Sequence, residues 1–154
     1  MNIRYSFFLL LLFILGNAQT QQTDSFVKNN FTKQEFYIPM RDGTRLFTSV
    51  YIPKDISKSK KYPFLLQRTC YSISPYGGDD YKRALGPNKY LLNDKYIFVY
   101  QDVRGRYMSE GVFTNMTPQV ERKSKKDVDE STDTYDTIEY LSKNIKYNNG
   151  KVGQ

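Results

Sequence analysis

YPFLLQRT (residues 62–69) and YIFVYQDV (residues 96–103) are the two stretches that decide the fold. Apolar residues follow one another in both without alternation, as Phe64, Leu65 and Leu66 do in the first. Strands that are buried on both faces read in this way, and they occupy the interior of a parallel sheet covered by helices. Both stretches are therefore predicted to be interior strands of an α/β sheet.

The residues before the first run predict an antiparallel hairpin. Apolar side chains alternate at Phe36, Ile38 and Met40, and alternation resumes over residues 46–52. Asp42-Gly43 lies between the two runs and favours a turn with positive φ that closes a two-residue hairpin. The hairpin is expected to lead into the parallel part of the sheet.

The residues after the second run predict a helix and a further strand. The apolar residues of Val128 to Asn144 have helical spacing. Asp and Glu residues cluster at the start of this segment, where their negative charges interact favourably with the helix dipole. Asn149-Gly150 reads as a turn, after which Lys151 to Gln154 reads as the start of a strand. The apolar stripe of the helix is predicted to consist of Tyr135, Ile138, Leu141 and Ile145.

The fold class follows from the order of these elements. A hairpin, a buried strand, a long loop with a short helix at residues 90–93, a second buried strand and a helix predict an α/β fold. The antiparallel hairpin should form one edge of a mostly parallel sheet. The loop after the first buried strand is expected to carry function, because loops that follow central strands often do.

The N-terminus predicts export. Residues 1–18 hold one positive charge, the apolar run Phe7–Leu15 and small residues in the pattern of a signal peptidase site. The run is shorter than the roughly 20 residues that span a membrane, so a cleaved signal is favoured over a retained anchor. Residues 19–30 read as a flexible lead and residues 31–154 as the folded domain. The mature protein is expected to be periplasmic or secreted, without a stable membrane anchor.

Composition excludes several classes of function. The net charge is +7, but the Lys and Arg residues cluster in separate loops at residues 54–61 and 122–126, which argues against nucleic-acid binding. The chain has no His, so it cannot supply a Ser-His pair or a His-based zinc site. Cys70 has no partner cysteine, and it is interpreted as a small buried residue rather than a reactive thiol.

Several stretches together resemble one branch of the α/β hydrolases. They are IPMRDGTRLFTSVYIP, QRTCY, YQDVRGRYMSEG, DTIEYLSKN and NGKVGQ. They are similar to the X-Pro dipeptidyl-peptidase-like hydrolases, a group that includes cocaine esterase, glutaryl cephalosporin acylases and the α-amino acid ester hydrolases. The resemblance runs from Phe36 to Gln154 and implies the N-terminal part of an α/β-hydrolase fold.

The resemblance also implies what these residues would lack. In the family, the strand that begins GKVG leads into the nucleophile elbow, a G-x-S-x-G turn that presents a serine. The chain is expected to be truncated before that elbow, and the Asp and His of the triad come later still in the family. The 154 residues alone are therefore expected to be inactive.

One site residue is assigned by the resemblance. Family members place a tyrosine after the third strand, in a T-P-Y or N-P-Y motif, and its hydroxyl helps to bind the oxyanion. The matching residues are Thr69, Cys70 and Tyr71, so Tyr71 takes the oxyanion role, with Cys70 in place of the usual Pro. Asp102, Arg104, Ser109 and Glu110 are interpreted as structural supports instead.

Two hypotheses of different class follow. The first is an exported serine hydrolase that cleaves a small ester, amide or peptide through an acyl-enzyme, without a metal or organic cofactor. The second is a non-catalytic exported α/β module that binds a small ligand or a partner protein, or the product of a decayed gene. Reading the coding DNA beyond Gln154 for G-x-S-Y-x-G and a later Asp and His would distinguish them.

Overall fold

The computed structural model describes residues 26–119, 121, 124 and 126–154. The predicted signal at 1–18 lies outside the described residues. The elements in chain order are β1 (Phe31–Pro39), β2 (Arg45–Pro53), β3 (Tyr62–Thr69), α1 (Lys89–Asp94), β4 (Ile97–Asp102), α2 (Glu130–Asn144) and β5 (Asn148–Gly153).

The five strands of the described residues form one mixed sheet in the order β1-β2-β4-β3-β5. β1 pairs antiparallel with β2, β2 pairs antiparallel with β4, and β3 pairs in parallel with both β4 and β5. This arrangement confirms the predicted α/β fold, in which an antiparallel hairpin leads into a parallel sheet. It also brings the carboxyl ends of β3 and β4 to the same edge.

The turn of the hairpin differs from the prediction. The Met40 amide donates to the Thr44 carbonyl at 2.8 Å, and the Gly43 amide donates back to Met40 at 2.9 Å. Three residues, 41–43, therefore lie between the hydrogen-bonded Met40 and Thr44, in place of the expected two, and Gly43 has a φ of 84°. A tight turn followed by a left-handed glycine is the usual form of a three-residue hairpin loop.

Each face of the sheet carries its own apolar cluster. The first cluster lies between the sheet and α2, and it includes the predicted residues Ile38, Met40, Leu46 and Val50 together with Leu141 and Ile145 of the helix. The second cluster lies under the loop that follows β3, and it includes Val27, Phe31, Tyr51, Ile73 and Phe98. The loop after β3 therefore acts as the cover of one face.

The two predicted interior strands differ in burial. All residues of β4 are buried, as expected for the centre of the sheet. β3 alternates instead, with Leu65 half-buried and Gln67 exposed. The prediction was wrong for that face of β3, because an open depression lies beside Leu65 rather than a packed helix.

The buried face of α2 is partly polar. Asp129 caps the helix by accepting from the Thr132 amide at 2.8 Å, so the helix begins at Glu130, two residues after the predicted start. Tyr135 is 60% exposed, which contradicts its place in the predicted apolar stripe. Thr137 is buried in the same turn and receives a hydrogen bond from Gln101 at 2.9 Å. At this end of α2, a hydrogen bond to Gln101 of β4 replaces apolar packing.

Both ends of the described domain are more ordered than predicted. Residues 26–30 are helical, and Val27 is fully buried, so the prediction of a flexible lead was wrong for this part of 19–30. β5 begins at Asn148 and so contains Asn149-Gly150, which were predicted to form a turn before the strand. The Asn148 side chain donates to the Ile145 carbonyl at 2.7 Å, at the end of α2. Within the described residues, the helices are too short or too polar to cross a membrane.

Candidate active site at the carboxyl ends of β3 and β4

The candidate site begins where two parallel strands end side by side. Thr69, the last residue of β3, pairs with Asp102, the last residue of β4. The Val103 amide donates to the Thr69 carbonyl at 3.1 Å and extends this pairing by one residue. Ligand sites in α/β sheets lie at this edge of the strands, so the loops that follow β3 and β4 are the candidate positions for functional residues.

Tyr71 lies two residues beyond the end of β3. Its amide donates to the Thr69 hydroxyl at 3.0 Å, which fixes the backbone as it turns out of the strand. Its side chain is 75% exposed. The structure thus places the sequence-predicted oxyanion residue at the carboxyl edge of the sheet, with its phenol open to solvent in the described part of the chain.

Asp102 joins the loop after β3 to the loop after β4. Its carboxylate is fully buried and accepts from the Tyr76 hydroxyl at 3.0 Å, the Ile73 amide at 3.2 Å and the Met108 amide at 3.3 Å. The first two donors belong to the loop after β3 and the third to the loop after β4. Asp102 is therefore the structural support that the sequence predicted, and its pairing holds both loops in register.

Electrostatics at Asp102 agree with a supporting role. Burial raises the pKa of the Asp102 carboxyl, and the Tyr76 hydroxyl and the two amides lower it in part. Burial also raises the pKa of the Tyr76 hydroxyl, and the bond to Asp102 adds to the rise. Tyr76 therefore keeps its proton at neutral pH and donates a hydrogen bond to the Asp102 carboxylate.

The loop after β4, residues 103–112, is a compact unit. The Gly105 amide donates to the Glu110 carbonyl at 2.8 Å, and the Ser109 hydroxyl donates to the Asp102 carbonyl at 2.6 Å. Gly105 has a φ of 67°, and a Cβ there would lie 2.1 Å from the Phe113 amide nitrogen. Both the backbone conformation and the available space therefore require glycine at position 105.

Ion pairs fix this unit to its neighbours. Arg104 donates to both carboxylate oxygens of Asp133 on α2, at 2.7 and 3.0 Å, and to Asp42 in the hairpin turn at 2.7 Å. Glu110 accepts from the Arg45 amide at 2.9 Å and pairs with its guanidinium. Arg104, Ser109 and Glu110 thus have the structural contacts that the sequence predicted for them.

Sequence reasoning missed Arg106. Its Nε donates to the Cys70 carbonyl at 3.0 Å, and its guanidinium lies 5.2 Å from the centre of the Tyr107 ring and 5.0 Å from that of Phe113. An arginine in contact with two aromatic rings loses mobility and gains cation–π attraction. Arg106 therefore fixes the peptide group that precedes Tyr71. No feature of the sequence distinguishes Arg106 as a functional residue from Arg104, two positions earlier.

An open depression lies on the face of the sheet that the loop after β3 covers only in part. Its volume is about 540 Å³. Its lining includes Leu65 and Gln67 of β3 and Gly86, Pro87 and Leu91 of the loop and helix that follow. The depression is the reason that β3 is less buried than β4.

Matches to known proteins cover most of the chain. The model of the X-Pro dipeptidyl-peptidase (S15) family matches residues 42–154. The chain belongs to this family. The matched range holds Tyr71 and the loop after β4, but not β1. No curated protein matched the chain.

Two solved structures of longer hydrolases are similar to this S15-family chain. An aminopeptidase from the marine sediment archaeon Thaumarchaeota archaeon is 38% identical, with a TM-score of 0.67 over 80% of this chain and 20% of that one. An α-amino acid ester hydrolase is 36% identical, with a TM-score of 0.68 over 84% of this chain and 21% of that one. The chain thus spans about a fifth of the length of these relatives.

A more distant structure shares the fold. A CocE/NonD family hydrolase from Staphylococcus aureus is 22% identical, with a TM-score of 0.50 over 79% of this chain and 22% of that one. At this identity the similarity shows the fold alone. The five-stranded mixed sheet therefore matches the N-terminal part of hydrolases of this type.

Proposed function

We propose that this chain supplies the oxyanion-binding edge of an exported serine hydrolase. The reaction is the cleavage of a small ester, amide or peptide through an acyl-enzyme, and the Tyr71 hydroxyl donates a hydrogen bond to the oxyanion. The observation that carries the proposal is the placement of Tyr71, which is exposed at the carboxyl end of an inner strand of an S15-family sheet. The names of the relatives, an aminopeptidase and an α-amino acid ester hydrolase, support this substrate class.

The chemistry of a phenol suits the role. A tyrosine hydroxyl has a pKa of about 10, so it keeps its proton at neutral pH. It can therefore donate a hydrogen bond to the negative charge that develops on a carbonyl oxygen during acyl transfer. Fixed donors are more effective than mobile ones because they need no reorganisation during the reaction. Asp102 and Arg106 supply this fixation through the loop on either side of Tyr71.

Other parts of the mechanism must come from residues outside this sequence. The 154 residues contain no His, so they hold no imidazole to activate a serine nucleophile. We propose that the nucleophile, its base and the acid that orients the base belong to further residues of the same gene product. The mechanism requires no metal and no organic cofactor.

A labelling experiment tests this proposal. The complete open reading frame that contains these residues is expressed beside the 154-residue chain, and both are treated with a fluorophosphonate probe, which reacts with activated serines. We expect the complete product to be labelled and to release p-nitrophenol from p-nitrophenyl esters with a burst, and the 154-residue chain to do neither. A complete product without labelling or turnover would favour the non-catalytic binding module.

Export is proposed from residues 1–18. If the signal is cleaved, mass spectrometry of the protein from its source should give a mature N-terminus at or near Gln19. Recovery of the intact N-terminus from the exported fraction would favour a retained anchor.

A further inference from the structure

Lys33 is a buried cation surrounded by oxygen atoms. It lies on β1, and its side chain is fully buried. Nζ donates to the carbonyl oxygens of Pro75 at 2.8 Å, Gly77 at 2.7 Å and Asp80 at 2.8 Å, and it lies 2.8 Å from a carboxylate oxygen of Glu35. We call these five residues the Lys33 clamp.

Burial of an ammonium group is costly unless other groups replace its water. In the Lys33 clamp, three carbonyl oxygens and one carboxylate do so, and the Tyr51 ring lies 5.9 Å from Nζ. The buried ammonium depends on these oxygen atoms, and the oxygen atoms also depend on the ammonium. Three carbonyl groups that converge on one buried point repel one another unless a cation lies between them, so the loop conformation at residues 75–80 requires Lys33.

Glu35 adds a second hold on the same segment. Its carboxylate accepts from the Gly77 amide at 3.0 and 3.2 Å while it balances the charge of Lys33. The backbone of Lys33 takes part as well, because its amide donates to the Tyr81 hydroxyl at 3.1 Å. The edge strand β1 therefore fixes residues 75–81 of the loop after β3 through both side chains and backbone.

The Lys33 clamp and Asp102 hold neighbouring atoms of one short segment. Pro75 and Gly77 contact Lys33, while Tyr76 between them bonds to the Asp102 carboxylate at 3.0 Å and to the Ser72 hydroxyl at 2.9 Å. Ser72 directly follows Tyr71. The loop is thus fixed from two sides, by β1 and by β4, and Tyr71 lies at the start of the fixed segment.

We propose that Lys33 is a positioning residue, an internal cation that fixes the loop that carries Tyr71. Its effect on catalysis rests on the function proposed above, while its effect on the loop does not. Lys33 lies outside residues 42–154, the range that matches the family. Lys33 therefore belongs to β1, which lies outside the matched range, while the loop that it contacts lies inside that range.

Hydrogen exchange on the 154-residue chain tests the effect on the loop. Lys33→Met keeps the length and most of the apolar stem but removes the charge. We expect amide exchange at Gly77 and Lys82 to accelerate by about tenfold or more, since local opening sets exchange in loops, while Val50 and Val99 in the sheet keep their protection. Lys54→Met is the matched control, because Lys54 Nζ donates to a single exposed carbonyl, that of Lys28, at 2.8 Å.

Chemical rescue separates the charge from packing. Lys33→Ala leaves a space that ethylammonium can enter. The uncharged n-propanol is of similar size and can enter the same space. We expect ethylammonium to restore protection at Gly77, and n-propanol to leave it unchanged. If Lys33→Met does not fold, the ethylammonium dependence of folding in Lys33→Ala is measured instead. Unchanged exchange in Lys33→Met, or equal rescue by both compounds, would overturn the proposal.

Kinetics of the complete gene product test the effect on Tyr71. Lys33→Met should lower kcat by about tenfold with KM nearly unchanged, because a misplaced oxyanion donor affects the transition state more than the ground state. In a Tyr71→Phe background the same change should have no further effect on kcat. An equal effect in both backgrounds would overturn the positioning role. A wild-type product without turnover would refute the proposed function instead, and the exchange result would still decide the role of Lys33 in the loop.

Discussion

Arg106 donates from Nε to the carbonyl oxygen of Cys70 at 3.0 Å, across the two loops that leave β3 and β4. The bond fixes the peptide group that Cys70 shares with Tyr71. The resemblance described above places a proline at position 70 in other members, where its ring would stiffen the backbone. In this chain the stiffness comes from a hydrogen bond and from the two rings that cover the Arg106 guanidinium.

Replacement of Arg106 should therefore loosen the site. We expect Arg106→Met to lower the free energy of unfolding by about 1–2 kcal/mol, since one charged hydrogen bond and two partly exposed cation–π contacts are lost. For a chain of this length, Tm should fall by about 2–4 °C per kcal/mol. Thermal unfolding followed by circular dichroism measures this change.

Lys89→Met is the control for Arg106→Met. The Lys89 ammonium lies 5.4 Å from the Tyr90 ring centre at an exposed position, so its loss should change Tm by less than about 1 °C, as for most surface substitutions. Equal shifts in the two variants would contradict the role given to Arg106.

Tyr71→Phe tests the proposed oxyanion donor in the complete gene product. The ring stays and only the hydroxyl is removed, so kcat should fall by about 10² to 10³ while KM and Tm change little. Steady-state kinetics with p-nitrophenyl esters give both constants. Tyr90→Phe, another exposed tyrosine in the same domain, should behave as wild type. A loss of less than about threefold in Tyr71→Phe, roughly 0.65 kcal/mol, would show that Tyr71 is not the donor.

Two glycines with positive φ should respond differently to alanine. Gly43→Ala meets no atom within 4 Å, so only the left-handed backbone opposes it, at a cost of about 1–2 kcal/mol. Gly105→Ala adds a Cβ 2.1 Å from the Phe113 amide nitrogen and 2.4 Å from the Val112 carbonyl carbon. Backbone atoms cannot rotate away, so the loop must shift and the cost should exceed about 3 kcal/mol.

Urea unfolding of the two glycine variants gives both values. Equal destabilisation would mean that the loop after β4 can open to accept the methyl group. In that case the compact unit at residues 103–112 would be softer than its hydrogen bonds indicate.

Asp55 should contribute to the acid sensitivity of the domain. Its carboxylate accepts from Lys60 Nζ at 2.6 Å, lies 3.1 Å from Lys95 Nζ and accepts from the Tyr62 hydroxyl at 3.1 Å. The Lys60 ammonium is the main cause that holds the pKa of Asp55 at about 2, below its ordinary value of 3.8. The stabilisation is therefore complete above pH 3.8 and is lost as the pH falls through about 2.

Asp55→Asn checks this sign. The difference in free energy of unfolding between wild type and variant should be largest near neutral pH and should shrink as the pH falls from about 4 to about 2, where the wild-type carboxylate takes up its proton. Urea unfolding at several pH values in this range measures it. A constant difference across the range would show that Asp55 does not titrate there.

The sequence was informative where apolar periodicity decides burial. Alternation in β1 and β2 predicted which side chains face the first apolar cluster, and the continuous run at Ile97–Val99 predicted the central strand. The same rule failed at Leu65, because a run of apolar letters cannot show whether both faces of a strand are covered. It failed again at Tyr135, because helical spacing alone does not fix which stripe of a helix turns inward.

The polar part of the interior was not predictable from such patterns. Gln101, Thr48 and Thr137 are fully buried, yet polar residues at these positions read as surface. Arg68 is another such case, since its Nε donates to Gln101 at 2.7 Å while burial lowers the pKa of its guanidinium. Each of these polar side chains is buried together with a hydrogen-bond partner. The partners are 33 to 53 positions apart in the sequence, so a local pattern does not show them.

The candidate site divides in the same way. Tyr71 was predictable from a family resemblance, since the motif lies within a few consecutive residues. The Lys33 clamp was not, because its oxygen ligands are mostly backbone carbonyls, and a carbonyl gives no signal in the residue letters. Arg106 bonds to a carbonyl as well. Backbone acceptors therefore account for most of what sequence reasoning missed near Tyr71.

The position of β4 constrains the order in which the domain can be assembled. β2 and β3 are joined by residues 54–61 but do not pair with each other, since β4 lies between them. During synthesis from the N-terminus, the hairpin and β3 emerge first, and each exposes an unpaired edge toward a place that is still empty. β4 is synthesised after both of them, so one later strand joins the hairpin to β3, and β5 can then pair with the remaining free side of β3.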